Sequence, residues 1–215
     1  MTIPLWASRL ALVAGSLVFW FWSQRLIGGR AFPEGRIGDR LLEMTAPAHQ
    51  FLLDHPKWAD RLLIFTSLLI DALGLFIIGL AVLGESVRPF VGMLIVFVLR
   101  QVCQGLCALP SPEKMIWRDP GFPSLFVTYG VATDLFFSGH TAIAVYGCLE
   151  LGRLLGLPGV VAGVLIAFIE MGAVLVLRAH YTMDVFTGAV TALWVFGIAS
   201  EIAPPIDRLL ALIAR

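Results

Sequence analysis

Apolar residues along this chain come in long runs separated by polar breaks, and a bilayer core asks a spanning helix for about twenty such residues. The runs fall at about Leu10 to Trp22, extendable to Gly28, then Leu62 to Gly84, Pro89 to Leu109, Asp134 to Leu155, Leu157 to Arg178 and Thr182 to Ile202. The pattern predicts six transmembrane helices. The breaks at Glu85 to Arg88 and around Gly156 to Pro158 are tight, so the helices on either side of each pair antiparallel. The first run ends in the aromatic-rich Val18 to Trp22, with no small-residue cleavage pattern, and is read as a retained helix.

Two stretches depart from this pattern. Arg25 to Arg61 is polar and carries Gly28, Gly29, Pro33, Gly35, Gly38, Pro47 and Pro56 as breakers; it reads as a long extramembrane connection with room for short amphipathic helices such as Arg40 to Leu53. His49 and His55 fall within it and read as surface residues. Pro110 to Ala132 holds Pro110, Pro112, Pro120 and Pro123 among Trp117 and Phe126, too broken for a span and too apolar for water. It is expected to lie as a loop on the membrane surface.

Composition agrees with the pattern. At 59% hydrophobic, 14% charged and a mean hydropathy of +0.89, the chain is no ordinary water-soluble domain. The expected fold is an all-α, multi-pass integral membrane protein, one domain over residues 1–215. Fifteen basic residues balance fifteen acidic ones, so nothing points to nucleic acid. Cys103, Cys107 and Cys148 sit in apolar runs as small hydrophobes. A homo-oligomer is left open.

Candidate chemistry collects on one face. Six crossings bring together the end of the third span, with Arg100 and Gln104, the start of the fourth, with His140, and the fifth-to-sixth junction, with His180 and Asp184. Counting Lys and Arg alone puts this face in the cytoplasm, but Arg100, Arg118 and Arg178 are also candidate ligands, so the side stays open. His180 and Asp184 are four apart, one helical turn, and a carboxylate on one imidazole nitrogen leaves the other basic and nucleophilic. A lone His near a span is as often an interfacial hydrogen-bonding residue; the paired Asp184 argues against that for His180. Asp71 and Glu170 lie inside spans, where an ionised carboxylate costs on the order of 3 kcal/mol, so each is expected to have a partner or a proton. Glu170 is also a candidate to assist His140 or an acceptor hydroxyl.

Asp134-Leu135-Phe136-Phe137-Ser138-Gly139-His140-Thr141, followed by His180-Tyr181-Thr182-Met183-Asp184-Val185, resembles the two C-terminal motifs of the sphingomyelin synthase family. That family is related to the type 2 phosphatidic acid phosphatases and to the plant phosphatidylcholine:diacylglycerol cholinephosphotransferases. Arg100-Gln101, Gln104 and Leu109-Pro110-Ser111-Pro112 resemble the segment such proteins carry at the end of the third span. Ala132-Thr133 stands where the synthases have Cys-Gly, and Val174 where the phosphatases have an Arg.

The resemblance implies a type 2 phosphatidic acid phosphatase-like bundle and a lipid phosphotransferase. A phospho-head group, of the phosphocholine or phosphoethanolamine type, would pass from a phospholipid donor to a lipid alcohol such as diacylglycerol or ceramide. His180 would form a phosphohistidine, Asp184 would hold its ring, and His140 would serve the leaving and incoming oxygens. Arg100, Gln104, Asp134, Ser138, Gly139, Arg178, Tyr181 and Glu170 are the candidate substrate-binding residues, and no metal or other cofactor is implied. Two further readings stay open: a lipid phosphatase or phospholipase C-like hydrolase on the same residues, and a helical bundle using His140 and His180 as axial haem ligands.

Overall fold

In the computed structural model the described residues are 4–29, 37–130 and 135–214, and they form eight α-helices and no strand. Five are long and apolar enough to cross a membrane: α1 (Leu5–Gly28), α4 (Pro56–Leu83), α5 (Arg88–Leu106), α7 (Leu157–Val176) and α8 (Thr182–Ile213). The first connection carries α2 (Arg40–Met44) and α3 (Ala46–Asp54). The short amphipathic helices expected there are these two, the stretch from Arg40 to Leu53 being divided at Thr45, two residues before Pro47. His49, read as a surface residue, is only 2% exposed.

The sixth expected span is α6 (Gly139–Leu155), which starts five residues later than its apolar run because Ser138 caps it, accepting a hydrogen bond from the Thr141 N–H at 3.3 Å. At 17 residues it is about 25 Å long, the short end of what a span needs. It packs closely on α7, with Gly163 so near that a Cβ there would meet Cys148 at 2.7 Å. α4 begins earlier than its apolar run, with Pro56 in its first turn, and α8 runs on through Pro204 and Pro205 to Ile213.

The bundle is inside out relative to a water-soluble one. Phe19 and Trp22 of α1, Leu165 and Phe168 of α7, and Phe186 and Trp194 of α8 point outward, while Asp71, Arg88, Arg100, Gln104, Glu150, Glu170, His180 and Asp184 are buried. Outward apolar and inward polar side chains are the arrangement a lipid solvent selects.

The proline-rich segment after α5 turns inward instead of lying across the surface. Ile116, Phe126 and Val127 are buried, and Phe126 packs where Gly74 of α4 has no side chain, an added Cβ lying 2.5 Å from its ring. Asp71 of α4 holds the segment: its carboxylate accepts hydrogen bonds from the Ser124 hydroxyl at 2.9 Å and from the Leu125 and Phe126 N–H groups, each at 3.0 Å. The acid that needed a partner finds three on the loop, and prolines that forbid a helix leave its N–H groups available to a side chain.

Candidate active site

His180 lies in the five-residue link between α7 and α8, and His140 in the first turn of α6. These segments are joined by their backbones. The Ser138 N–H donates to the Asp184 carbonyl at 3.1 Å, and the Ser138 carbonyl sits where a side chain on Gly188 would be, 2.7 Å from an added Cβ. The start of α6 is thereby pressed against the first turns of α8.

The two rings line one partly open space of about 40 Å³ together with Arg100, Gly139, Trp20, Ile70, Trp117 and Phe126. One water needs roughly 10–15 Å³ on this measure, so the space suits a group the size of a phosphoryl. Trp117 stands edge-on to His140 with ring centroids 5.2 Å apart and donates its indole N–H to the Thr128 carbonyl at 3.0 Å. Met115, Val127 and Thr128 complete the roof.

Asp184 is fully buried, with Oδ2 3.5 Å from His180 Nδ1. That oxygen also accepts the Tyr181 N–H at 2.9 Å, which fixes the carboxylate at the start of α8. The separation is that of an ion pair, outside hydrogen-bond geometry, and it aims the other ring nitrogen of His180 away from the carboxylate. His140 Nε2, His180 Nδ1 and Asp184 Oδ1 are buried with no hydrogen-bond partner. Arg100 donates from Nε to the Phe137 carbonyl at 2.9 Å and lies along α6 where Gly139 leaves room, 3.1 Å from an added Cβ. A guanidinium and the first turn of a helix thus share one wall of the space, a combination suited to an anion.

The other sequence candidates are placed elsewhere. Ser138 spends its hydroxyl on capping α6. Gln104 is buried but is not among the residues lining the space between the rings. Arg178 and Tyr181 line a separate surface opening with Asp39, Leu42 and Glu113, where Arg178 donates to the Glu113 carbonyl at 3.1 Å. Glu170 is fully buried on α7, away from that space, with neither carboxylate oxygen hydrogen-bonded. Asp134 lies outside the described residues. Trp117 was not a candidate, and Asp71 was expected only to have a partner or a proton; the signal for Trp117 was an aromatic within an apolar segment that could not be a helix.

The described residues are thus all-helical with membrane-length helices, and two histidines and an arginine line one space, with Asp184 beside the ring of His180. The model of the AtPDCT1/2 family, the phosphatidylcholine:diacylglycerol cholinephosphotransferases, matches residues 39–201. The chain belongs to this family of lipid phosphotransferases. Comparison with curated proteins and with solved structures returns no match.

Proposed function

We propose that the protein is a membrane lipid phosphotransferase, a six-span bundle of the phosphatidic acid phosphatase type in which α6 also crosses. It moves phosphocholine from phosphatidylcholine to diacylglycerol through a phosphohistidine. The observation that carries this is the shared space between His140 and His180, with Asp184 beside the Nδ1 of His180. His180 Nε2 attacks phosphorus, an N–P bond forms, and the bond to the glycerol oxygen breaks. His140 gives that oxygen its proton, so diacylglycerol leaves neutral. The acceptor hydroxyl then attacks phosphorus, His140 takes its proton, and the N–P bond breaks. Asp184 stabilises the positive ring, Arg100 and the N–H groups at the start of α6 hold the phosphoryl oxygens, and no step needs a metal.

Roofing by Met115, Trp117, Phe126, Val127 and Thr128 shields the intermediate from water and favours transfer over hydrolysis. A haem reading has less support, since about 40 Å³ between the rings holds a phosphoryl group and not a porphyrin. For the head group, the far faces of Trp117 and Val127 border a second opening of about 530 Å³ with Phe122, Tyr129 and Asp119. Arg118 beside it is engaged with Asp60 at 2.6 Å, which leaves Asp119 and the aromatic rings to receive a quaternary ammonium.

The test is purified protein in mixed phospholipid with isotope-labelled phosphatidylcholine and unlabelled diacylglycerol, products read by mass spectrometry. Labelled head group on the acceptor is expected, with ceramide and phosphatidylethanolamine as competing substrates and Asp119→Asn narrowing the preference for choline. Release of free phosphocholine with no labelled acceptor lipid would establish a hydrolase instead.

A further inference from the structure

The nucleophile proposed above belongs to no helix. His180 stands in the link between α7 and α8, and that link has to be held still for an in-line attack. Both of its ends are gripped from the first connection, more than a hundred residues earlier. At the α7 end, the buried His49 donates from Nδ1 to the Val176 carbonyl at 2.8 Å. Burial keeps the His49 ring below the ordinary imidazole pKa, so it is neutral and can hold one proton toward that carbonyl. At the α8 end, Asp39 Oδ2 accepts the Thr182 N–H at 2.6 Å, and its Oδ1 accepts the Thr182 hydroxyl at 2.6 Å. The same Oδ1 accepts the Leu41 and Leu42 N–H groups at 3.0 and 3.3 Å, capping α2. One carboxylate therefore caps two helices that are far apart in the chain. Both of its oxygens are needed: an amide offers a single acceptor and can serve α2 or the α8 N–H, but not both.

We propose that Asp39 is a positioning residue of the transfer reaction, acting through Thr182 on the link that carries His180. The inference rests on His180 being the nucleophile. A helix cap alone would contribute stability and leave turnover per folded molecule unchanged. A clamp on the nucleophile appears in kcat, because the substrate is held by other groups, namely Arg100, the α6 N-terminus and the space under Trp117.

The experiment compares Asp39→Ala, Asp39→Asn and Thr182→Val with the full-length parent in detergent or nanodiscs, using phosphatidylcholine and diacylglycerol. Misplacing a reacting group by about 1 Å costs on the order of a hundredfold, so Asp39→Ala is expected to lower kcat by about 10- to 100-fold with KM within about twofold. Asp39→Asn, which keeps one acceptor, should fall between the two. A lowered melting temperature with unchanged kcat, or a raised KM with unchanged kcat, would overturn the proposal.

Hydrogen exchange gives a reading that does not depend on activity. Amides of residues 177–183 should exchange faster in both Asp39 variants while those of α5 do not change, and unchanged exchange in the link would end the proposal. An inactive wild type counts against the phosphotransferase reading itself, and exchange then decides the clamp alone.

Discussion

Buried charge is used in opposite ways at the two ends of this bundle. At the end away from the histidines, charged groups meet a partner on another helix or in the link between α4 and α5. Arg88 of α5 pairs with Glu150 of α6 and lies over the Phe196 ring of α8, 5.1 Å from its centroid. Asp207 of α8 accepts the Val87 N–H at 2.9 Å and the Ser86 hydroxyl at 2.5 Å, and Arg9 of α1 donates to the carbonyls of Gly84 and Glu85. At the histidine end, His140 Nε2 and Asp184 Oδ1 have no hydrogen-bond partner, and His180 Nδ1 has only the distant Asp184 Oδ2. Arg88 Nη1 and Glu150 Oε1 are also without a hydrogen-bond partner, but those two residues neutralise each other, whereas the histidine rings line a space that a ligand can enter.

Substitutions can break that contrast. The largest effect is expected from His180→Ala, which should remove at least about a thousandfold of the turnover while leaving the melting temperature within a few degrees of wild type. Asp184→Asn should also fall far, with some loss of stability because Asp184 caps the Tyr181 N–H. At the other end the signs reverse. Arg88→Ala or Glu150→Ala strands a buried charge and should cost about 3–5 kcal/mol of stability, whereas the double replacement Arg88→Met with Glu150→Leu should recover most of it. If kcat per folded molecule fell for these variants as it does for His180→Ala, the division between the ends would fail.

Asp71 lies between the two regimes, since it is fully engaged yet holds the roof of the site. Asp71→Ala leaves the Leu125 and Phe126 N–H groups without their acceptor, at about 1–3 kcal/mol. Loosening the roof should raise released phosphocholine relative to labelled acceptor lipid, measured in one reaction. An unchanged ratio would show that the loop does not shield the intermediate.

The smallest effect is one of pH. Burial acts to raise the Asp39 pKa, but hydrogen bonds from Thr182, Leu42 and Leu41 outweigh it, and the net direction is downward. A depressed carboxylate contributes stability that is present above the ordinary carboxylate range and is lost as pH falls through its folded-state value. The gap in melting temperature between wild type and Asp39→Asn should therefore be constant near neutrality and close in acid; a gap constant into acid would contradict this.

Much of this could be read from the chain alone where local rules decide. Apolar run length located the helices to within about six residues at each end, except that α8 runs on from Ile202 to Ile213, and the four-residue spacing of His180 and Asp184 placed the two side chains within reach although only Asp184 is helical. Run length alone put the start of α6 at Asp134, and the capping residue Ser138, which acts on its own next turn, sets it five residues later. Legibility ended where non-local packing decides. Nothing in the composition of residues 110–130 says that Asp71, some fifty residues earlier, turns the segment into a roof, or that His49 and Asp39 grip the link at Val176 and Thr182. Arg178 and Tyr181, next to the histidine in sequence, face a different opening because the link turns there, with Arg178 at a φ of 55°.

The central claim is that one phosphorus centre sits between two histidines and is held covalently by one of them. Its most direct test is rapid quenching of the enzyme with phosphatidylcholine in the absence of acceptor, followed by peptide mass spectrometry under alkaline conditions that preserve phosphohistidine. The account predicts a phosphocholine adduct on the peptide carrying His180, absent in His180→Ala and discharged on adding diacylglycerol. Steady transfer by wild type with no adduct at His180, or transfer persisting in His180→Ala, would contradict it.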